Sequence, residues 1–335
     1  MAAASIDMIR TTQQVKAGLA GLRLDQAAVE LFPDYSRARL QGWIRDGSLT
    51  IDGVQAKPKQ KLAGGEILTL KAVLQHNEEV VPQAIHLQVI AADDHIIVIN
   101  KPAGLVVHPA AGHPDGTLQN GLLHFDGNLA AIPRSGIVHR LDKDTSGVMV
   151  VARSLKAHAS LVGQLQDRSM GRIYETVING KPGNGKPGNG KPRNGQPGAS
   201  GTVDAPIGRN PRDRQRMAVV PSGRPAISHY RILHAFRHYS HLRVSLESGR
   251  THQIRVHMQY LGHPVVGDPQ YGAKSAKLSE MSANVYAAVT GFPRQALHAR
   301  TLRLKHPGSL ERCEFEAPLP SDLCALLDIL KLEDC

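Results

Sequence analysis

The sequence predicts an α+β protein in two parts, a small basic module followed by a larger domain of mixed strands and helices. Three observations predict it. The chain has 335 residues, enough for two domains or for one large domain with an appendage. Residues 19–76 show a helix–helix–hairpin–strand pattern rich in Lys and Arg. From residue 87 onward, short apolar strand patterns are interleaved with helix patterns.

Residues 1–18 lack strong periodicity and are expected to form a flexible tail. A helix is predicted over 22–32, ended by Pro33, with Ser36 as the N-cap of a second helix to about 46. In the second helix Leu40, Trp43 and Ile44 form an apolar stripe, while Arg37, Gln41 and Arg45 line another face. A hairpin follows over 49–54 with Asp52-Gly53 at its turn, then a strand over 65–70. Residues 77–86, with Glu78, Glu79 and Pro82, read as a linker. In the domain 87–335, strands are expected at 96–99, 148–151, 173–179 and 241–247. Thr251 is the expected cap of a helix in which Ile254, Met258 and Leu261 share a face, and a last helix is expected over 321–332. Residues 181–200 repeat Lys-Pro-Gly-Asn-Gly and decay. So much Gly and Pro builds no core, and the segment reads as a flexible insertion between strands.

Lys and Arg total 40 against 29 Asp and Glu, a net charge of +11 with a pI near 9.7. That excess points to a polyanionic partner, most commonly nucleic acid. The basic residues of the first module are Arg23, Arg37, Arg39, Arg45, Lys57, Lys59 and Lys61. With the order helix, basic helix, hairpin, residues 20–80 resemble the alpha-L RNA-binding module of a small-subunit ribosomal protein and several RNA-modifying enzymes. The three cysteines, Cys313, Cys324 and Cys335, form neither a disulfide framework nor a zinc site, so a reducing, cytoplasmic setting is expected. No signal-peptide pattern and no apolar run near 18 residues occurs, so no membrane association is expected.

The stretch His139-Arg-Leu-Asp-Lys-Asp-Thr-Ser-Gly147 places Asp142 and Asp144 in a polar turn before a buried strand. A calcium loop would need a bidentate Glu twelve positions into the motif, where Arg153 stands, and this reading is rejected. A glycosidase carboxylate pair and a purely structural turn both remain open on these residues.

The same stretch resembles the signature of the RluA-type pseudouridine synthases. Four further segments agree in order: Asn100-Lys-Pro-Ala-Gly104 with His108-Pro109, Gly249-Arg-Thr-His-Gln-Ile-Arg-Val-His257, Gly267-Asp-Pro-Gln-Tyr-Gly272, and Leu297-His-Ala299 with His306-Pro307. The likeness covers roughly 87–320, and the repeat at 181–200 departs from it. It implies a mixed, mainly antiparallel sheet with a central cleft. It implies isomerisation of uridines to pseudouridine in large-subunit (23S) ribosomal RNA by a monomer that needs neither cofactor nor metal. The absence of G-x-G-x-x-G, P-loop and H-E-x-x-H patterns accords with this.

The resemblance also implies roles. Asp142 is the essential carboxylate. It must be ionised, and a paired arginine would offset the effect of burial. Arg255 is the expected partner, with Arg250 as the other candidate. Tyr174 would pack on the flipped base. Arg140 would contact RNA or fill the space of the displaced base, with His139 and Arg250 also on the substrate side. Two rivals predict different outcomes. A non-catalytic RNA-binding protein would tolerate Asp142→Asn, and a glycoside hydrolase would not depend on Tyr174.

Overall fold

The computed structural model describes residues 7–33, 35, 37–74, 80–110, 112–183, 196–272 and 281–333. The chain divides into two compact units, 1–79 and 80–335. The first contains β1 (Asp7–Gln14), α1 (Leu24–Leu31), α2 (Arg37–Asp46), β2 (Leu49–Ile51), β3 (Val54–Gln55) and β4 (Ile67–Leu74), with the sheet order β1-β4-β2-β3. The expected tail is corrected here, because residues 7–14 pair antiparallel with β4 along their whole length. The strand escapes a hydrophobicity reading because backbone bonds to β4 define it, and few of its side chains are apolar. Leu40, Trp43 and Ile44 are buried as the stripe requires, against Leu24, Leu49, Leu68 and Leu70. Asp52 (φ 49°) and Gly53 (φ 80°) supply the two left-handed residues of a tight hairpin turn. Ser36, the expected cap, lies outside the described residues.

The second unit holds β5 (Val89–Ala92), β6 (Ile96–Lys101), α3 (Leu118–Phe125), β7 (Ser146–Ala152), α4 (Leu155–Gln166), β8 (Gly171–Asn179), β9 (Ser200–Asp204), β10 (Ile207–Arg209) and β11 (Met217–Val219). They are followed by β12 (Ile227–Ala235), β13 (Tyr239–Leu246), α5 (Gln253–Tyr260), α6 (Ala283–Thr290), β14 (Leu297–Lys305), β15 (Arg312–Glu316) and α7 (Ser321–Glu333). Residues 80–86 belong to this unit. Val81 O accepts from Asn120 Nδ2 at 2.9 Å, and Gln83 N donates to Asn120 O at 3.1 Å. The repeat falls between β8 and β9, and residues 184–195 lie outside the described residues.

The main sheet runs β5-β6-β7-β14-β8-β13-β12-β9, with β15 added to β14. Every pairing is antiparallel except β7 with β14, which is parallel and joins only His298 to Ser146 and Ala299 to Gly147. Beyond that point β15 takes the edge of β14, from Thr301 to Lys305. Close approach at the junction depends on Gly147 (φ 120°), where a Cβ would stand 2.2 Å from Ala299 O. His298 ties the junction further. Its Nε2 lies 3.1 Å from Ala317 O, so it donates there and Nδ1 accepts from Ser146 Oγ at 2.9 Å.

Two apolar cores flank this junction. One gathers β6, β7, α3, α4 and the far half of β14. The other gathers β8, β12, β13, α5, α6 and α7. Tyr174 packs against both.

Candidate active site

The loop 139–145 carries Asp142 into β7 and is fixed from several sides. Lys101 is fully buried and its Nζ donates to Pro102 O, Leu105 O and Lys143 O at 2.7, 2.9 and 2.8 Å. Burial pulls the Lys101 pKa down to about 7, against the opposing charges of Asp144 and Asp142. The three carbonyls use all three N–H bonds of the ammonium form. Arg294 Nη1 donates to Asp144 O at 3.1 Å, and Gln295 Nε2 donates to Thr145 Oγ1 at 3.1 Å. Arg294 is itself held by both oxygens of Asp322, at 2.7 and 2.8 Å. Side chains from β6 and from the residues just before β14 thus set the backbone path of the loop before any substrate arrives.

Asp142 meets Arg255 of α5. Arg255 Nη1 donates to Asp142 Oδ2 at 3.0 Å. The guanidinium is bound on its other side by Asp268, Nε to Oδ2 at 2.6 Å and Nη2 to Oδ1 at 2.9 Å, and lies 4.9 Å from the centre of the Tyr271 ring. Burial opposes the Arg255 charge, but hydrogen bonds and charge from Asp268 and Asp142 outweigh it and raise the pKa. Burial likewise opposes the Asp268 carboxylate, and Arg255 with the Tyr271 and Gln270 amides outweighs it and lowers the pKa. Asp142 Oδ2 is therefore held in place. Its Oδ1 has His252 Nε2 at 3.8 Å, beyond hydrogen-bond reach, and the side chain keeps 21% of its surface exposed. The result is a carboxylate with one oxygen clamped and the other open to chemistry.

The start of α5 differs from the expected cap. The N-cap is His252 in the left-handed conformation (φ 57°), with no side-chain cap. Gln253 Oε1 instead accepts from Arg250 N and Ser248 Oγ, both at 2.9 Å. The unusual backbone turns the His252 ring between Asp142 and the Tyr271 hydroxyl, which lies 2.8 Å from Nδ1. A non-glycine residue held there costs about 1–3 kcal/mol and is typical of functional sites.

Of the residues singled out from sequence, Asp142, Arg255 and Tyr174 come together. Burial, with the Asp142 charge adding to it and Arg172 opposing, raises the Tyr174 pKa. Arg140 is exposed and Arg250 half-buried. His139 Nε2 accepts from Val150 N at 3.1 Å, so it anchors the loop to β7 in neutral form. Burial and the Arg172 charge push its pKa down to about 4. Between pH 4 and its ordinary value of 6.5 the unfolded chain takes up a proton there that the folded chain refuses. Stability contributed by this ring is full above pH 6.5 and is lost as pH falls toward 4. We expect the unfolding midpoint of the wild type to fall more steeply across this window than that of His139→Gln. Equal slopes in parallel thermal melts would count against the assignment.

In the first unit, Arg45, Lys57 and Lys61 are exposed. Arg23 is paired with buried Asp25, at 2.9 and 3.0 Å. Arg37 and Arg39 lie in α2, but their side chains are outside the described residues. Sequence reasoning gave no role to Asp268, Tyr271 or Lys101. Each lies inside a quoted segment, which was the available signal.

Comparison with known proteins identifies the family. A family model described as RNA pseudouridylate synthase matches residues 95–260. The ribosomal large subunit pseudouridine synthase D of Pseudomonas aeruginosa is 50% identical over 325 residues, covering 97% of each chain. The chain belongs to the RNA pseudouridylate synthase family. The synthase of the same description from Escherichia coli K12 is 46% identical over 97% of this chain and 95% of its own. Human RNA pseudouridylate synthase domain containing 4 shares the fold, with a TM-score of 0.54 and 23% identity over 73% of this chain and 93% of its own. As a member of this family the protein is an RNA pseudouridine synthase, an isomerase. No helix among the described residues is long and apolar enough to cross a membrane.

Proposed function

We propose that this synthase isomerises specific uridines of large-subunit ribosomal RNA, with Asp142 as its catalytic carboxylate. The observation that carries the assignment is the half-clamped carboxylate. Arg255, itself held by Asp268, fixes Oδ2, and Oδ1 has no hydrogen-bond partner among the described residues. The reaction breaks the C1′–N1 bond and joins C1′ to C5, and the proton leaves C5 while N1 gains one. A fixed carboxylate can attack carbon or move that proton. Arg255 orients it, and the Tyr174 ring supplies a surface for a base drawn out of its stack. Arg140 and Arg250 contact the RNA, and His139 supports the loop beneath it. The basic first module, through Arg45, Lys57, Lys61 and the α2 arginines Arg37 and Arg39, holds flanking RNA, with Arg23 at its edge. The RNA substrate is supported by relatives at 46–50% identity, which are ribosomal large subunit pseudouridine synthases. Free Cys313 and Cys324 accord with a cytoplasmic setting.

Carbodiimide mapping of pseudouridines in ribosomal RNA tests the substrate. Cells lacking the protein are expected to lose defined pseudouridines of the large subunit. The wild-type gene should restore them and Asp142→Ala should not. An unchanged map in the deletion strain would overturn the substrate assignment.

A further inference from the structure

Arg172 is anomalous. It lies in β8 two residues before Tyr174, and so on the same face of the strand, about 7 Å away. The residue is only 8% exposed. Among the described residues its buried Nε has no hydrogen-bond partner, and the guanidinium's one acceptor is Glu247 O, 3.4 Å from Nη2. No carboxylate among the described residues pairs with it. The nearby Glu247 side chain is engaged by His229 at 2.7 Å and Arg168 at 3.3 Å. A buried guanidinium with an unused donor is costly unless an anion meets it.

The surroundings add positive charge. Arg224, Arg168 and Arg172 all bear electrostatically on Arg250, whose Nε is turned to Pro225 O at 3.1 Å. The chain also makes room for the guanidinium. A Cβ on Gly249 would stand 2.5 Å from Arg172 Nη1. The stem alone could be a core filler, but that role gives no reason for an unsatisfied Nε or for converging arginines.

We propose that Arg172, with Arg250 beside it, forms a subsite for a backbone phosphodiester of the bound RNA, next to the nucleotide whose base rests on Tyr174. This rests on the reading of Asp142 and Tyr174 given above. The flat guanidinium fork suits two phosphate oxygens, and binding would satisfy a charge that the free enzyme leaves exposed to no anion. The first module would hold flanking RNA, whereas this subsite would fix the strand beside the reacting nucleotide.

The test measures the affinity of the full chain for transcribed large-subunit ribosomal RNA across a monovalent-salt series. Arg172→Gln and Arg172→Lys are compared with the wild type, with thermal melts of all three. One single-stranded phosphate contact contributes about 0.7 to the slope of log K against log salt, roughly fivefold in affinity at 0.1 M. Arg172→Gln is expected to lose that slope and that affinity without lowering the melting point, because it removes an unpaired buried charge. Arg172→Lys is expected to keep the slope. An unchanged slope in Arg172→Gln overturns the proposal, and a lowered melting point with that unchanged slope would assign Arg172 a structural role. The outcome is independent of the Asp142 assignment, because binding is read without turnover. An active Asp142→Asn enzyme would defeat that assignment and leave the binding comparison intact.

Discussion

Asp142→Asn is expected to reduce uridine isomerisation by at least about 10³-fold while leaving the fold and RNA affinity near wild type. The magnitude is that of removing a nucleophile or general base from an organised site. The intact fold follows from the partners. Arg255 keeps both bonds to Asp268, and an asparagine oxygen can still accept from Nη1. The exposed edge of Asp142 adds little desolvation cost to the change. Release of tritium from C5-labelled uridine in transcribed ribosomal RNA reads the rate, and circular dichroism reads the fold. Retained turnover would remove Asp142 from the chemistry. Lost turnover with a lost fold would mean that its role is structural.

Asp268→Asn should produce the largest loss of stability. It strips the bidentate partner from a buried arginine and places an amide where Gln270 N and Tyr271 N each donate to Oδ1 at 2.9 Å. Breaking such a buried pair costs about 3–5 kcal/mol, or roughly 10 °C in melting temperature for a domain of this size. Because the folded Asp268 pKa is lowered, its contribution is complete above the ordinary value of 3.8 and disappears as pH falls through the folded value. The gap between wild type and variant should therefore be flat from pH 7 to about 4 and narrow below it. Equal melting temperatures at pH 7 would contradict the assignment of Asp268 as the anchor of Arg255.

The legible parts of the sequence share a cause. Leu40, Trp43 and Ile44, the run 148–151 and the turn Asp52-Gly53 are decided by local pattern, and all stand where the pattern puts them. The strand at 7–14 is held by pairing with residues 53 to 67 positions distant, which no local window contains. The cap of α5 is not Thr251, because the real brace is the side chain of Gln253, the first residue of the helix, with partners in Ser248 and the Arg250 amide. In the site, the family resemblance singles out Asp142, Tyr174 and Arg255. The identity of Asp268 as the second partner of Arg255 depends on how residues 13 apart fold back on each other. Arg172 was invisible for a different reason. What marks it is a missing partner, and a sequence displays residues without showing which donors go unused.

The two apolar cores that meet at Tyr174 have a consequence for how the molecule breathes. A sheet sewn across its middle by two parallel residue pairs contains a line of weak cooperativity. Amide hydrogens of β6 and β7 should exchange with solvent as one group, and those of β8, β12 and β13 as another, each with its own opening free energy. Asp142 enters from one group, Arg255 belongs to the other, and Tyr174 packs against both. Partial opening of either group would then separate the carboxylate from its clamp before the chain as a whole unfolds.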